Sequence, residues 1–271
     1  MNLREELIQS LIAAKIPSPR LETDIILKYA APHYPNISEA EKKTLQDFLA
    51  RRINHEPLDK IIGYREFYKY RFKVSADVLT PRPDTEILVE KALFLLSTDA
   101  TSRILDLGTG SGCILLSLLK ERSSAKGVGI DKSAAALKIA SKNAQELGIE
   151  NRITFINKSW NEIDWGYEKF DMIVSNPPYI PSAEIETLDT EVKNYDPIMA
   201  LDGGKTGLDC YNEIAKIAPE IMSDNAYILL EVGYNQAEEV AKIFQNANLK
   251  LIEIVKDLAG INRCVILKKI R

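Results

Sequence analysis

The sequence predicts an α/β fold, in which a mostly parallel sheet of seven strands follows a small all-α bundle and a β-hairpin. Two observations predict this arrangement. Apolar residues recur at helical spacing through residues 1–60, and from residue 103 onward short apolar strands alternate with helical segments. Such alternation is typical of a parallel sheet covered by helices on both faces. We therefore expect a helical domain at 1–63, a hairpin linker at 64–83 and a sheet domain at 84–271.

The helical domain contains two recognisable helix starts. Ser18 precedes Pro19, which pairs a favoured N-cap residue with a favoured first helical residue. Ser38 and Glu41 stand three residues apart, in the pattern of a capping box. In the linker, apolar and cationic residues alternate between 68 and 74, which indicates a strand with one buried face and one solvated face.

The sheet domain begins where the chain changes to alternating strands and helices. Its seven strand candidates are "RILDLG", "AKGVGID", "RITFIN", "FDMIVS", "AYILLEVG", "LKLIEIV" and "RCVILKK". Between the second and third of these, Ser133 is expected to cap a helix and Gly148 to end it. Ligands of such sheets bind beyond the carboxyl ends of the strands, near the point where the strand order reverses. The motifs at these strand ends are therefore the candidate site.

Composition narrows the classes of function. The net charge is −4 and the pI is about 5.5, which argues mildly against a duplex nucleic-acid substrate that needs cationic phosphate contacts. No apolar run approaches the roughly 18 residues of a membrane span, and the first residues lack the apolar core of a signal peptide. Cys113, Cys210 and Cys264 are too widely spaced for a zinc knuckle or a disulfide framework. His33 and His55 lie far in sequence from the glycine-rich and proline-rich motifs. We expect a cytoplasmic enzyme without a metal.

The first motif is "DLGTGSG", which joins the first strand to a helix. Its glycines permit a tight turn and a close approach of a ligand to the backbone, and the following helix presents unpaired N–H groups. The glycine that a dinucleotide fingerprint carries at its sixth position is missing. The turn therefore favours the amino-acid part of S-adenosylmethionine over a pyrophosphate. The expected cofactor-binding residues here are Asp106, Gly108, Thr109, Gly110, Ser111 and Gly112.

Three further residues are candidates for binding the same cofactor; one of them, Asn176, belongs to the second motif described below. Asp131 ends the strand "GVGID", where an acid can accept hydrogen bonds from both ribose hydroxyls. The alternative is an acid favoured by the dipole of the helix that begins nearby. Trp160 follows the strand "RITFIN", where its indole can pack on an adenine face or belong to the core.

The second motif is "NPPY", residues 176–179, at the end of the strand "FDMIVS". An amide nitrogen is a poor nucleophile, because its lone pair is delocalised in a bond whose rotation costs ~18–20 kcal/mol. Asn176 offers a side-chain carbonyl, Pro177 a backbone carbonyl that ladder pairing leaves free, and Tyr179 an aromatic face. With Pro178 between them, these groups form a candidate clamp for a planar NH₂ group. The alternative is a structural proline-rich turn.

Together the motifs resemble class I S-adenosylmethionine-dependent methyltransferases acting on planar nitrogen. The ordered segments "EPLDKIIGYREFY", "VLTPRPDTEILVE", "DLGTGSG", "GID" and "VSNPPYIP" are similar to those of the HemK-type protein-glutamine methyltransferases. That resemblance implies a Rossmann-like class I methyltransferase sheet. It also implies methylation of the side-chain amide nitrogen, N5, of the glutamine in the Gly-Gly-Gln motif of class 1 peptide chain release factors.

Carried over by position, the resemblance implies roles for individual residues. Residues 108–112 and Asp131 would bind S-adenosylmethionine, Trp160 would line the adenine pocket, and residues 176–179 would hold the substrate glutamine. The helices at 1–63 would recognise the release factor. One departure is Ser159, where relatives commonly have an acid before the Trp; we expect weaker cofactor affinity, because a hydroxyl lacks charge assistance.

Several alternative functions stay open at this point. A nucleic-acid adenine N6-methyltransferase shares the "NPPY" chemistry but would need a basic groove and a flipped base. A ribosomal-protein glutamine methyltransferase is a near relative that the sequence separates poorly. From a different class, the chain could be a non-catalytic binding module that uses the cofactor structurally. We expect a release-factor partner, no membrane and no direct nucleic-acid substrate.

Overall fold

The computed structural model describes residues 2–97 and 101–270; Met1 and Arg271, the outer limits of the predicted domains, lie outside them. The described chain forms two compact units. The first unit runs to Tyr64 and also contains Leu188–Tyr195, and the second holds Arg65–Thr187 and the chain from Asp196 onward. Within the described ranges, no helix has the length and apolar character that crossing a membrane requires.

The first unit is helical, as predicted. Its helices are α1 (Leu3–Ala13), α2 (Pro19–Ala30), α3 (Glu39–Ile53), α4 (Leu58–Ile62) and, from the later segment, α8 (Thr190–Tyr195). Leu11 and Ile26 are fully buried in its core. The predicted capping box is confirmed, since the Ser38 N–H donates to Glu41 Oε2 at 2.8 Å and the Glu41 N–H to Ser38 Oγ at 3.3 Å. Ser18 precedes α2, but its side chain makes no capping bond.

Arg52 fixes the later segment within this unit. Its guanidinium is buried and donates to Glu22 Oε2 at 2.5 Å, to Glu191 Oε1 at 2.7 Å and to the Glu56 carbonyl at 3.0 Å. Because a buried cation is costly unless it is paired, these contacts act as one set. They connect α2, α3 and α8, although Glu191 lies far along the chain from the other members.

The second unit contains the predicted seven-stranded sheet. Its strands are β3 (Arg103–Leu107), β4 (Lys126–Asp131), β5 (Ile153–Asn157), β6 (Phe170–Ser175), β7 (Met222–Glu231), β8 (Leu249–Lys256) and β9 (Asn262–Lys269). They lie in the order β5-β4-β3-β6-β7-β9-β8, and β9 runs antiparallel to both of its neighbours. The strand order reverses between β3 and β6, which makes their carboxyl ends the switch point.

Helices cover both faces of this sheet. They are α5 (Glu86–Leu95), α6 (Cys113–Glu121), α7 (Ala134–Glu146), α9 (Asp209–Ile221) and α10 (Ala237–Asn246). One core layer includes Tyr211 of α9 and Phe244 of α10, and the other includes Leu88 of α5 and Leu115 of α6; all four are fully buried. Burial on both faces explains why the strands read as apolar runs rather than as alternating ones.

The predicted hairpin consists of β1 (Tyr64–Phe67) and β2 (Tyr70–Lys73). The rings of Phe67 and Phe72 pack edge to face, with centroids 6.1 Å apart, against the core of the second unit. The backbone N–H of Lys73 donates to Asn143 Oδ1 of α7 at 2.7 Å. From Arg65 onward the hairpin is therefore an integral part of the second unit.

We predict that Arg52→Gln loosens α8 within the first unit. The change leaves the Glu22 and Glu191 carboxylates without their shared cation, and breaking a buried pair costs about 3–5 kcal/mol. Amide hydrogen exchange at residues 190–195, measured by mass spectrometry, should accelerate at least ~10-fold. Arg51→Gln is the matched control, because Arg51 is 35% exposed and pairs with Glu56 and Asp47 on the surface. Equal exchange at 190–195 in both variants would contradict the prediction.

Candidate active site

The two motifs predicted from sequence meet at the switch point of the sheet. Leu107, the last residue of β3, lies opposite Ser175, the last residue of β6. The Ser175 hydroxyl donates to the Leu107 carbonyl at 2.6 Å, which fixes the two strand ends at one level. The glycine turn and the "NPPY" segment therefore leave the sheet side by side.

The glycines of the turn serve different purposes. Gly108, Gly110 and Gly112 all have positive φ, of 76°, 54° and 81°. A Cβ at Gly110 would meet nothing within 4 Å, whereas one at Gly112 would lie 2.9 Å from Leu116 Cδ1. Gly110 thus leaves open space that a ligand can use, and Gly112 allows α6 to pack.

Two acids, Asp106 and Asp131, hold the turn in place. Asp106 is fully buried, and its Oδ2 accepts the Thr109 hydroxyl at 2.7 Å. Its Oδ1 has no hydrogen-bond partner within the described ranges, and burial raises its pKa to about 7. Asp131 accepts the Gly110 N–H at 2.9 Å on one oxygen and the Ser133 N–H at 2.8 Å on the other. Burial also raises the pKa of Asp131.

Trp160 lies against the glycine turn. Its indole N–H donates to Glu213 Oε2 at 3.0 Å, and Lys132 Nζ lies 5.6 Å from the ring centroid. Its ring belongs largely to the core, and a Cβ at Gly108 would lie 3.8 Å from it. The ring therefore has one fixed orientation. Ser159 is buried just before it.

The "NPPY" side chains contact two residues behind the motif. Asn176 Nδ2 donates to Thr85 Oγ1 at 3.4 Å, which occupies one N–H of the amide and leaves its carbonyl oxygen available as an acceptor. Pro177 is buried. The Tyr179 hydroxyl lies 3.5 Å from Glu231 Oε1, and burial raises the pKa of Tyr179, which keeps the phenol neutral.

A glycine-rich loop that sequence reasoning missed supports the backbone after Pro178. The Gly203 N–H donates to the Ile180 carbonyl at 2.9 Å. A Cβ at Gly203 would lie 2.7 Å from Tyr179 Cα, and one at Gly207 would lie 2.2 Å from the Tyr179 carbonyl oxygen. One local pattern could have indicated this loop: "DGGKTG" has three glycines in six residues just before a helix.

Gln236 supports the same backbone from a second side, and no sequence pattern pointed to it. Its Nε2 donates to the Tyr179 carbonyl at 2.9 Å, and its Oε1 accepts the Gly233 N–H at 3.0 Å. A Cβ at Gly233 would lie 2.9 Å from Tyr179 Cδ2, so the Tyr179 ring packs directly on this turn. Tyr179 is thus held at its carbonyl, its ring and its hydroxyl.

A cavity of about 570 Å³ opens between these elements, which is an ordinary size for a small-molecule site. The predicted site residues in its wall are Gly108, Thr109, Gly110, Ser111, Asp131, Trp160, Asn176 and Pro178. The lining does not include Asp106, Gly112, Pro177 and Tyr179. Arg82 and Thr85, from the "TPRPDTE" segment, complete the wall. Ile198 and Met199 also line the cavity and are 60% and 56% exposed, so its mouth is apolar.

The sheet order, the glycine turn and the "NPPY" segment at the switch point define a class I methyltransferase. A family profile described as "Methyltransferase domain" matches residues 98–255. A methyltransferase structure from Pyrococcus furiosus is 14% identical and superposes with a TM-score of 0.52, covering 83% of this chain and 98% of that one, which supports the fold.

Closer relatives identify the family. A release factor glutamine methyltransferase of Rhodospirillum rubrum is 44% identical over 86% of this chain and 71% of its own length. The protein of the same name from Caulobacter vibrioides is 38% identical over 93% of this chain and 90% of its own. The chain belongs to the release factor glutamine methyltransferase family.

We predict that Gly207→Ala destabilises the second unit far more than a positive φ alone explains. The new Cβ would collide with the Tyr179 carbonyl oxygen at 2.2 Å. Gly260→Ala is the matched control, because Gly260 has φ +81° and open space around it. The control should lose about 1–2 kcal/mol of unfolding free energy, and Gly207→Ala about 2–5 kcal/mol. Denaturant unfolding measures both; equal losses would show that the contact is unimportant.

We predict that the free energy of unfolding falls as pH rises through 7, because Asp106 loses its proton in the folded protein. Its pKa is raised from 3.8 to about 7 in the folded state, so the folded protein binds its proton more tightly than the unfolded chain does. The resulting stabilisation is complete below about pH 4 and is lost as pH rises through about 7. In Asp106→Asn, the decline in unfolding free energy between about pH 5 and pH 8 should be smaller than in the parent. Identical pH profiles in urea unfolding would refute this.

Proposed function

We propose that the protein transfers a methyl group from S-adenosylmethionine to the side-chain amide nitrogen, N5, of the glutamine in the Gly-Gly-Gln motif of class 1 peptide chain release factors. The observation that carries the proposal is the Asn176 amide, whose NH₂ is bound to Thr85 and whose carbonyl oxygen remains to accept an N–H in the cavity wall. The name shared by the relatives supports the substrate. A substrate of the translation machinery implies a cytoplasmic site of action.

The cavity suits S-adenosylmethionine, which supplies an electrophilic methyl group on a sulfonium. Each oxygen of Asp131 accepts one backbone N–H and keeps a lone pair for a ribose hydroxyl. The space above Gly110 accommodates the amino-acid part beside the turn. Trp160, held by Glu213, offers a ring edge of fixed orientation to the adenine. Ser159 is absent from this wall, and the expectation of weaker affinity from the missing acid stays a prediction.

The residues of "NPPY" would hold the substrate amide. Asn176 Oδ1 and the Pro177 carbonyl each accept one N–H, which orients the NH₂ and favours a more tetrahedral nitrogen. The neutral ring of Tyr179 packs beside the group. No residue of the motif needs to act as an acid or a base, because positioning alone can lower a barrier by ~7–11 kcal/mol.

The recognition of the release factor would involve more than the cavity. The exposed side chains of Ile198 and Met199 give its mouth an apolar rim, which suits the two glycines of the Gly-Gly-Gln motif because they have no side chains to clash. We assign the helices at 1–63 a role in gripping the protein substrate. The nucleic-acid and ribosomal-protein alternatives gain no support from the relatives' names, and the net charge of −4 disfavours the former.

We predict that the protein transfers labelled methyl from S-adenosylmethionine to a purified class 1 release factor, and not to a copy whose Gly-Gly-Gln glutamine is replaced. The reason is that the clamp accepts the two N–H groups of a primary amide. Total RNA and DNA serve as parallel substrates. Label on nucleic acid alone would retain the NH₂ clamp but overturn the substrate, and label on the replaced copy would overturn the site.

Asn176→Ala is the loss-of-function control for this assay. It should abolish turnover while the dissociation constant for S-adenosylmethionine, measured by calorimetry, changes only a few-fold. Asn54→Ala, on a surface helix end of the first unit, is the matched asparagine change outside the cavity. An unfolded Asn176→Ala protein would favour the structural interpretation of the motif.

A further inference from the structure

Two buried side chains contact the clamp and were not expected from the sequence, and one of them, Thr85, also lines the cavity. Thr85 lies at the end of the short 3-10 turn Pro83–Thr85, and Glu231 is the last residue of β7. They are only 2% and 3% exposed. Thr85 accepts from Asn176 Nδ2 at 3.4 Å, and Glu231 Oε1 lies 3.5 Å from the Tyr179 hydroxyl.

The direction of each hydrogen bond follows from counting donors. An amide NH₂ can only donate, so Thr85 Oγ1 is the acceptor for Asn176. The Thr85 hydroxyl then has one proton to donate, and its interaction with the Glu231 carboxyl opposes the rise in the pKa of that carboxyl. Tyr179 likewise donates its hydroxyl proton to Glu231. Asn176 therefore donates to Thr85, Thr85 interacts with Glu231, and Glu231 also accepts from Tyr179.

We propose that Thr85 and Glu231 are positioning residues for methyl transfer, because together they determine which end of the Asn176 amide faces the substrate. An asparagine amide keeps nearly the same shape after a half-turn. In the reversed orientation its NH₂ would face the substrate NH₂, and two donors cannot bond. An acceptor at Thr85, oriented by Glu231, holds the productive orientation. This inference rests on the proposed function.

The surroundings of Glu231 are consistent with a fixed acceptor. The Tyr211 hydroxyl donates to the Glu231 backbone carbonyl at 2.8 Å, which fixes the end of β7. Arg263 and Asp84 face the carboxyl and affect it in opposite directions, while burial raises its pKa to about 7. Glu231 Oε2 has no hydrogen-bond partner among the residues that the structure describes. A proton on Oε2 would leave Oε1 an acceptor, so the arrangement persists in either protonation state.

The test compares Thr85→Val with Thr85→Ser. Valine keeps the shape of threonine and removes the hydroxyl, whereas serine keeps the hydroxyl. We expect kcat on the release factor to fall at least ~10-fold in Thr85→Val and to recover largely in Thr85→Ser. The dissociation constant for S-adenosylmethionine and the melting temperature should stay close to those of the parent in both. Equal kcat in the two variants would overturn the proposal.

A second pair keeps the test decisive if a Thr85 variant does not fold. Glu231→Gln retains an oxygen that can accept both hydroxyls, and Glu231→Leu removes it. We expect a large loss of kcat only in the leucine variant. An equal loss of kcat in both variants, at equal melting temperature, would show that keeping an acceptor at this position does not preserve activity, and would overturn the proposal.

A readout independent of turnover separates this inference from the proposed function. The side-chain ¹⁵N–¹H₂ signals of Asn176, assigned by their loss in Asn176→Ala, should shift and exchange faster with water in Thr85→Val than in Thr85→Ser. If the parent protein methylates no release factor, the proposed function fails, and these signals still decide the inference. Unchanged signals in Thr85→Val would overturn it.

Discussion

The site depends on the register between β3 and β6. These two strands are neighbours only because the strand order reverses there, and the pair Leu107–Ser175 brings both to an end at the same level. The bond from the Ser175 hydroxyl to the Leu107 carbonyl ties the two strand ends together. A shift of one residue would turn every side chain of β6 to the opposite face and separate the two loops. The cofactor turn and the substrate clamp share one cavity because this register is fixed.

Consecutive prolines create a second constraint. Pro177 and Pro178 cannot donate to a sheet ladder, so the segment after β6 must be held by other parts of the chain. The structure meets this need with backbone bonds from the loop around Gly203 and with the amide of Gln236. Close backbone packing requires glycine, since any Cβ would occupy the space of Tyr179. The rigidity of the clamp therefore comes from residues outside the motif.

This division explains what the sequence could predict. The alternation of strands and helices predicted the sheet, and patterns local to one strand end, such as "DLGTGSG" and "NPPY", predicted residues at its switch point. Gln236 and Glu231 carry no local pattern, because their roles depend on contacts made far along the chain. The burial of individual side chains was also not predicted: Asp106 is fully buried and does not line the cavity, although it was expected to bind the cofactor. The sequence also did not predict that α8 belongs to the first unit, because this depends on the contact of Glu191 with the buried Arg52.

Burying two acids, Asp106 and Glu231, beside one cavity costs folding free energy. Their hydrogen-bond partners explain why the fold retains them. Asp106 accepts the hydroxyl of Thr109, a residue of the cofactor turn, and Glu231 lies at the hydroxyl of Tyr179 in the clamp. In each case one carboxyl oxygen orients a residue of the site and the other has no hydrogen-bond partner in the described ranges. Apolar residues of similar volume would often be neutral or stabilising at such positions, but they would leave the hydroxyls without an acceptor. The two buried acids therefore lower stability, but each orients one residue on its side of the cavity. There the direction of a single hydrogen bond determines which group faces a ligand.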